Sequence, residues 1–266
     1  MTQVQDLTVT KEKALCILTI NRPEKRNLLT VQCLLRIEET MRRLSQEEET
    51  RAVIIRGAGR RAFSAGYDVS ALPGKSSKKN PDALDETSPL EKALRSIRDF
   101  PYPVIAMING DAFGGGCELA VACDIRIAAT GARMGMPPAR LGLVYPYSGY
   151  RRFLKVLGFS RTLEIFLTGR AYGSGTCLKM GLVNHVVEDE DLETFTRDLA
   201  TEISMNAPLS LKGTKWALHR MADYPIISGE DEARIRSLFI QSVQSEDMEE
   251  GKSAFFEKRK PRFKGR

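Results

Sequence analysis

Apolar positions along the chain follow two patterns. Short runs at residues 14–20 (ALCILTI), 52–56 (AVIIR) and 104–109 (VIAMIN) read as buried strands. The segment 125–129 (IRIAA) alternates, as a strand with one buried face does. Between them, residues 30–45 place Leu34, Ile37, Met41 and Leu44 at the spacing of one helix face. Residues 117–123 form a short apolar helix behind three glycines, and residues 21–26 a polar turn around Pro23. Strand and helix thus alternate through the first half, which predicts an α/β fold. The second half is mostly helical, with helices expected at 149–157, 161–167, 189–205, 209–221, 229–243 and 245–256. Ser174 and Thr176 open a further short helix that Gly181 stops, and 183–187 is a small strand. Ser228 and Asp231 suit a capping box for the helix at 229–243. Residues 73–89 (PGKSSKKNPDALDETSP) hold little apolar content and predict a surface loop beside the site. The chain divides into a core over 1–200 and a helical region over 201–266.

Composition narrows the function classes. The 266 residues are 42% hydrophobic and 28% charged, which is globular rather than disordered composition. Lys and Arg number 40 against 34 for Asp and Glu, and the net charge of +6 favours an anionic ligand. No apolar run reaches the roughly 18–20 residues that span a bilayer. The first residues are polar and of mixed charge, unlike a secretory leader, so a cytoplasmic location is expected. The five cysteines are widely spaced without a CxxC pair, and there are two histidines. A thiolate metal site, a disulfide framework and a histidine-centred triad are all disfavoured, and each cysteine reads as a small buried apolar side chain.

Two glycine-rich segments carry the candidate chemistry. One is Phe63-Ser64-Ala65-Gly66-Tyr67-Asp68, after the strand at 52–56. The other runs from Gly110 through Gly114-Gly115-Gly116 to Glu118, after the strand at 104–109. Each reads as a strand entering a glycine turn that opens a helix. Free N–H groups collect at such helix starts, and small residues let a ligand approach the backbone. Two such turns on neighbouring strands can aim two N–H groups at one oxygen, as an oxyanion hole does. Neither segment has the spacing of a dinucleotide fingerprint or of a P-loop.

Taken with Asn21-Arg22-Pro23, Asn27, Leu141-Gly142 and the ending from Ala254 to Pro261, these segments resemble the enoyl-CoA hydratase/isomerase (crotonase) superfamily from about Thr8 onward. The resemblance implies a spiral of ββα units, a helical C-terminal region that builds trimers or dimers of trimers, and an acyl-CoA thioester as ligand. It implies no cofactor beyond the CoA moiety of the substrate. It places the oxyanion hole at the N–H groups of Tyr67 and Gly115, within a binding segment that includes Ala65, Gly66, Asp68 and Gly114. It also assigns a catalytic carboxylate to Glu118. Family hydratases use a second glutamate after the residue matching Pro137, and here Pro138 stands there, which cannot transfer a proton. The segment Leu141-Gly142-Leu143-Val144-Tyr145 is similar instead to the methylmalonyl-CoA decarboxylase branch, which makes Tyr145 a catalytic candidate. The branch carries a histidine where this chain has Tyr67.

The inventory suits decarboxylation, because loss of CO₂ from a malonyl-type thioester needs no base. It needs an oxyanion hole and a place for the departing carboxylate. An enoyl-CoA hydratase or related lyase using Glu118 alone is the alternative within the family. The resemblance assigns CoA contacts to Lys25, Arg26 and Leu28, to Phe255 beside the pantetheine, and to Lys258 reaching the CoA of a neighbouring subunit. The basic tail from Lys258 to Arg266 also raises nucleic-acid binding. Phe263 alone interleaves those charges, so RNA binding is not expected as the main function. A noncatalytic CoA-ester-binding scaffold is the remaining alternative.

Overall fold

The computed structural model describes residues 6–67, 88–223, 228–230, 233–234, 237, 241 and 244–266, the side chains of Lys252, Phe255 and Phe256 excepted. Asp68, most of the loop at 73–89, the greater part of the helix expected at 229–243 and the Phe255 side chain therefore lie outside the described residues.

The strands are β1 (Leu7–Glu12), β2 (Leu15–Ile20), β3 (Ala52–Gly57), β4 (Ala62–Ser64), β5 (Val104–Ile108), β6 (Asp111–Phe113), β7 (Ile125–Ala129), β8 (Arg133–Gly135), β9 (Tyr172–Gly173) and β10 (His185–Val187). Six of them form one sheet in the order β1-β2-β3-β5-β7-β10, parallel except for the β1–β2 hairpin. The other four form a second sheet in the order β4-β6-β8-β9. The pairs β3–β4, β5–β6 and β7–β8 each place one strand in each sheet, so the chain winds as a spiral. The helices α1 (Val31–Glu47), α2 (Pro89–Asp99) and α3 (Gly115–Ala122) follow β2, β4 and β6. This is the ββα spiral expected of an α/β crotonase fold.

The parallel strands are buried on both faces, which is why they read as unbroken apolar runs. Val53, Ile55, Ile105 and Ile108 sit in the core with Leu34, Ile37 and Leu44 of α1. All five cysteines are buried and free. Burial pushes the Cys16 thiol up to about 11 and the Cys33 thiol up to about 12, so neither is a ready nucleophile.

The second half is helical as expected. The helices expected at 149–157 and 161–167 both form, within the segment α4 (Tyr147–Thr168), and meet at a kink where Gly158 is non-helical (φ 70°, ψ 178°). The expected loop at 73–89 ends early, because Ser88 caps α2 by accepting from the Glu91 N–H at 3.1 Å, and Pro89 takes the first helical position. Beyond α4 come α5 (Ser174–Met180), α6 (Leu192–Ser204), α7 (Pro208–Asp223) and α8 (Glu246–Glu257). Asp124, next to β7, accepts from Lys215 Nζ at 2.7 Å and lies 3.0 Å from His219 Nε2. Both partners are on α7, so this contact fixes the helix against the large sheet. His219 thus has a structural partner outside the glycine-rich segments. Among the described residues no helix is long and apolar enough to cross a membrane.

Candidate active site

Asn27 builds the first wall of the site from the backbone up. Its buried amide donates to the carbonyls of Ala58 and Ala62, at 3.0 and 2.7 Å, and its Oδ1 accepts from the Arg22 N–H. This ties the turn at Pro23–Lys25 to the end of β3 and the start of β4. The Ala65 N–H then donates to the Arg26 carbonyl, and the Leu29 N–H to the Gly66 carbonyl. Lys25, Arg26 and Leu28 therefore run alongside Ala65–Tyr67. Lys25 and Arg26 are exposed and Leu28 is half-buried.

The second wall comes from the turn between β6 and α3. The Gly114 N–H donates to the Gly135 carbonyl, and Gly115 begins α3. The Gly115 N–H therefore has no partner in the ladder of its own helix. The two walls meet closely. A Cβ placed on Gly115 would lie 3.2 Å from the Tyr67 nitrogen, and one on Gly66 would lie 3.2 Å from the Gly115 nitrogen. The amides of Tyr67 and Gly115 are thus neighbours on the rim of one cavity, at the positive end of α3. One expectation needs correction. The glycine segments do not run directly from the large sheet into helices. Short strands β4 and β6 intervene, and these carry both turns to the cavity through the small sheet.

The cavity is lined by Ala65, Gly66, Tyr67, Gly114, Gly115, Glu118, Pro137, Pro138, Leu141, Leu143, Tyr145 and Pro146, together with Ser88, Leu90, Glu91 and Ser148. Its walls are mostly apolar. Glu118 is buried, one turn into α3, and accepts from the Tyr145 hydroxyl at 2.6 Å and from Arg152 Nη1 at 2.8 Å. Burial pushes the Glu118 carboxyl above its ordinary range, against the attraction of Arg152 and the hydrogen bond from Tyr145. Burial and the adjacent carboxylate push the Tyr145 hydroxyl up as well, so it stays a neutral donor. The Tyr145 ring is wedged against Phe166 and Tyr150, whose hydroxyl accepts from the Tyr145 N–H. A side chain at position 149 has no room, because its Cβ would fall 2.5 Å from the Tyr145 ring and 3.0 Å from Glu118 Oε1.

Of the residues named from the sequence, the fold brings Ala65, Gly66, Tyr67, Gly114, Gly115, Glu118 and Tyr145 together around this cavity. Lys25, Arg26, Leu28 and Lys258 are not part of its lining, and Lys258 is exposed just beyond α8. Three participants went unnoticed in the sequence. They are Glu91 on α2, Arg152 on α4 and Gly149. Arg152 bonds Glu91 through Nη2 as well as Glu118 through Nη1. Glu91 had a local signal, since Ser88-Pro89-Leu90-Glu91 is a helix-start signature. Arg152 had none, being 34 residues from Glu118 and 61 from Glu91. Among the described residues no group of His, Cys, Asp and Glu could hold a metal ion.

The family model for enoyl-CoA hydratase/isomerase matches residues 10–266. The short-chain-enoyl-CoA hydratase of Clostridium acetobutylicum is 33% identical over 270 residues, covering 97% of either chain. The methylmalonyl-CoA decarboxylase of Escherichia coli is 35% identical over 232 residues, covering 86% of this chain and 87% of that one. Among solved structures, an enoyl-CoA hydratase from Bacillus anthracis superposes with a TM-score of 0.90 at 30% identity, over 98% of this chain and 100% of that one. With the spiral fold and the paired glycine turns, these likenesses establish that the chain belongs to the enoyl-CoA hydratase/isomerase family.

Proposed function

We propose that this chain decarboxylates a short 2-carboxyacyl-CoA of the methylmalonyl type. The carrying observation is that Tyr145 and Glu118, 2.6 Å apart, line a mostly apolar cavity, while Pro138 lines it at the position where the family resemblance puts a hydratase's second acid. In this reading the thioester oxygen lies between the N–H groups of Tyr67 and Gly115. The Tyr145 hydroxyl turns the substrate carboxylate out of the thioester plane. The bond from C2 to the carboxylate carbon breaks and CO₂ leaves. The bonding electron pair moves onto the thioester as an enolate, which the two N–H groups and the start of α3 stabilise. Glu118, or water in its place, returns a proton to C2. Lys25 and Arg26, held beside Ala65 by the Arg26 carbonyl, are placed for the phosphates of CoA. The test is a panel of purified malonyl-, methylmalonyl-, ethylmalonyl- and crotonyl-CoA. CO₂ release from a malonyl-type thioester is expected to exceed hydration of crotonyl-CoA by at least about 100-fold in kcat/KM, or about 2.7 kcal/mol. Equal or faster hydration of crotonyl-CoA sinks the reading.

Hydration of an enoyl-CoA is the second reading. It is favoured by Glu91, a further carboxylate lining the same cavity, and by the hydratase relatives.

The same reading includes association of copies of this chain as a trimer or a dimer of trimers. Phe159, Leu163 and Leu167 lie four residues apart on α4 and are 69%, 42% and 71% exposed, an apolar stripe left uncovered in the single chain. Light scattering at micromolar concentration should give at least three times the mass of one chain. A monomeric mass removes this part of the proposal.

A further inference from the structure

Glu91 is the carboxylate of the cavity that the mechanism above leaves without a task. It sits in the first turn of α2, 6% exposed, with its N–H bound by the Ser88 hydroxyl. Arg152 lies between it and Glu118, one guanidinium nitrogen to each. Among the described residues, the charged and titratable groups facing Glu118 are Tyr145 from the segment before α4, Arg152 from α4, Glu91 from α2, and Cys117 beside it on α3. Within the buried part of the cluster one cation, Arg152, serves two carboxylates, while Arg95, half exposed, reaches Glu91 from the solvent side. With both carboxylates ionised that buried part carries a net negative charge, and a buried unbalanced charge is costly. One proton removes that cost.

The geometry decides where the proton goes. Glu91 has the Arg152 contact on Nη2 and a second guanidinium, Arg95, at 4.0 Å. Glu118 has the other Arg152 nitrogen and a neutral hydroxyl, and is the more deeply buried of the two. We infer that Glu91 is a positioning residue of this site: by holding the charge of Arg152 it leaves Glu118 as the carboxyl that carries the proton. The upward push on Glu118, to which the Glu91 charge adds, has the same sign.

This inference rests on the decarboxylation reading and completes its last step. A 2-carboxyacyl substrate brings one more negative charge to the cluster, which further favours protonated Glu118. The Glu118 O–H can then donate to the Tyr145 oxygen, freeing the Tyr145 proton for the substrate carboxylate. After CO₂ leaves, the Glu118 O–H bond breaks and a C2–H bond forms. The enolate returns to a thioester carbonyl, and the Glu118 carboxylate recovers its proton from water.

The experiment reads Glu118 itself. The protonated-carboxyl infrared band of the ligand-free protein is titrated and assigned by its absence in Glu118→Gln. Glu91→Gln keeps a carbonyl acceptor for Arg152 but removes the charge, so the Glu118 midpoint should move to lower pH. Arg152→Gln should move it to higher pH. A merely structural disturbance has no reason to give opposite signs. Protonation supports turnover below the midpoint and is lost as pH rises through it. Glu91→Gln should therefore slow decarboxylation about 10-fold at neutral pH with little change in KM, and should add nothing in a Glu118→Gln background. A midpoint that stays or rises in Glu91→Gln, or moves the same way in both variants, overturns the inference. If Arg152→Gln fails to fold, the Glu91→Gln midpoint alone decides. The titration needs no substrate, so a parent chain that releases no CO₂ defeats the reaction reading and leaves this result legible.

Discussion

Gly66→Ala should reduce turnover by about 1,000-fold or more, since removing a single oxyanion-hole donor commonly costs roughly 100- to 1,000-fold and this change disturbs both of the proposed donors. The reason is steric. Gly66 has φ 103°, where L side chains are strained, and its added Cβ would fall 2.6 Å from the Phe113 carbonyl oxygen and 3.2 Å from the Gly115 nitrogen. Both neighbours belong to the turn that presents Gly115. Relief of the clash has to push the two turns apart, which separates the amides of Tyr67 and Gly115. The fold should survive, because strain at one backbone position costs about 1–3 kcal/mol. Gly173→Ala is the matched control, since a Cβ there meets nothing within 4 Å. Steady-state kinetics on a malonyl-type thioester, with thermal melts of both variants, make the comparison. Activity in Gly66→Ala within tenfold of the parent would remove the oxyanion hole from this pair of turns.

What the chain reveals before folding follows from how each element is buried. Strands β2, β3, β5 and β7 lie in the large sheet, and most or all of their positions are buried. They therefore appear as apolar runs. Strand β1 is an edge strand with one fully buried residue, Leu7, and its pattern does not stand out from a polar terminus. Strands β4, β6, β8 and β9 span two or three residues each, too short for any periodicity. That hides the small sheet, the structure that brings the two glycine turns together. Helix α2 was masked by the charged stretch before it, although Ser88 and Pro89 marked its start. Glu118 and Tyr145 were each legible as candidates from their local motifs. Their hydrogen bond was not, because it depends on the missing side chain of Gly149 and on the way α4 folds back over α3.

Tyr145→Phe should lower decarboxylation by roughly 30- to 1,000-fold, the cost of one positioned hydrogen bond worth about 2–4 kcal/mol in the transition state. The ring stays packed on Phe166 and Tyr150, and Lys25 and Arg26, the proposed CoA-phosphate contacts, lie outside the cavity lining, so substrate binding should change little. Glu118→Gln should cost less, about 10-fold, because an enolate can take its proton from water once CO₂ has left. The Tyr145 hydroxyl and Glu118 are bonded to each other at 2.6 Å, so the double variant should fall well short of the product of the two single losses. Hydration reverses the order. Activating water requires a carboxylate lone pair, Glu118 is the carboxylate bonded to Tyr145, and its amide cannot take the proton. Glu118→Gln would then remove crotonyl-CoA hydration while Tyr145→Phe only slowed it. Assaying both variants on methylmalonyl-CoA and on crotonyl-CoA separates the two chemistries on the same cavity. Undiminished CO₂ release by Tyr145→Phe would remove Tyr145 from the mechanism, and fast hydration that vanishes in Glu118→Gln would transfer the assignment to a hydratase working through Glu118.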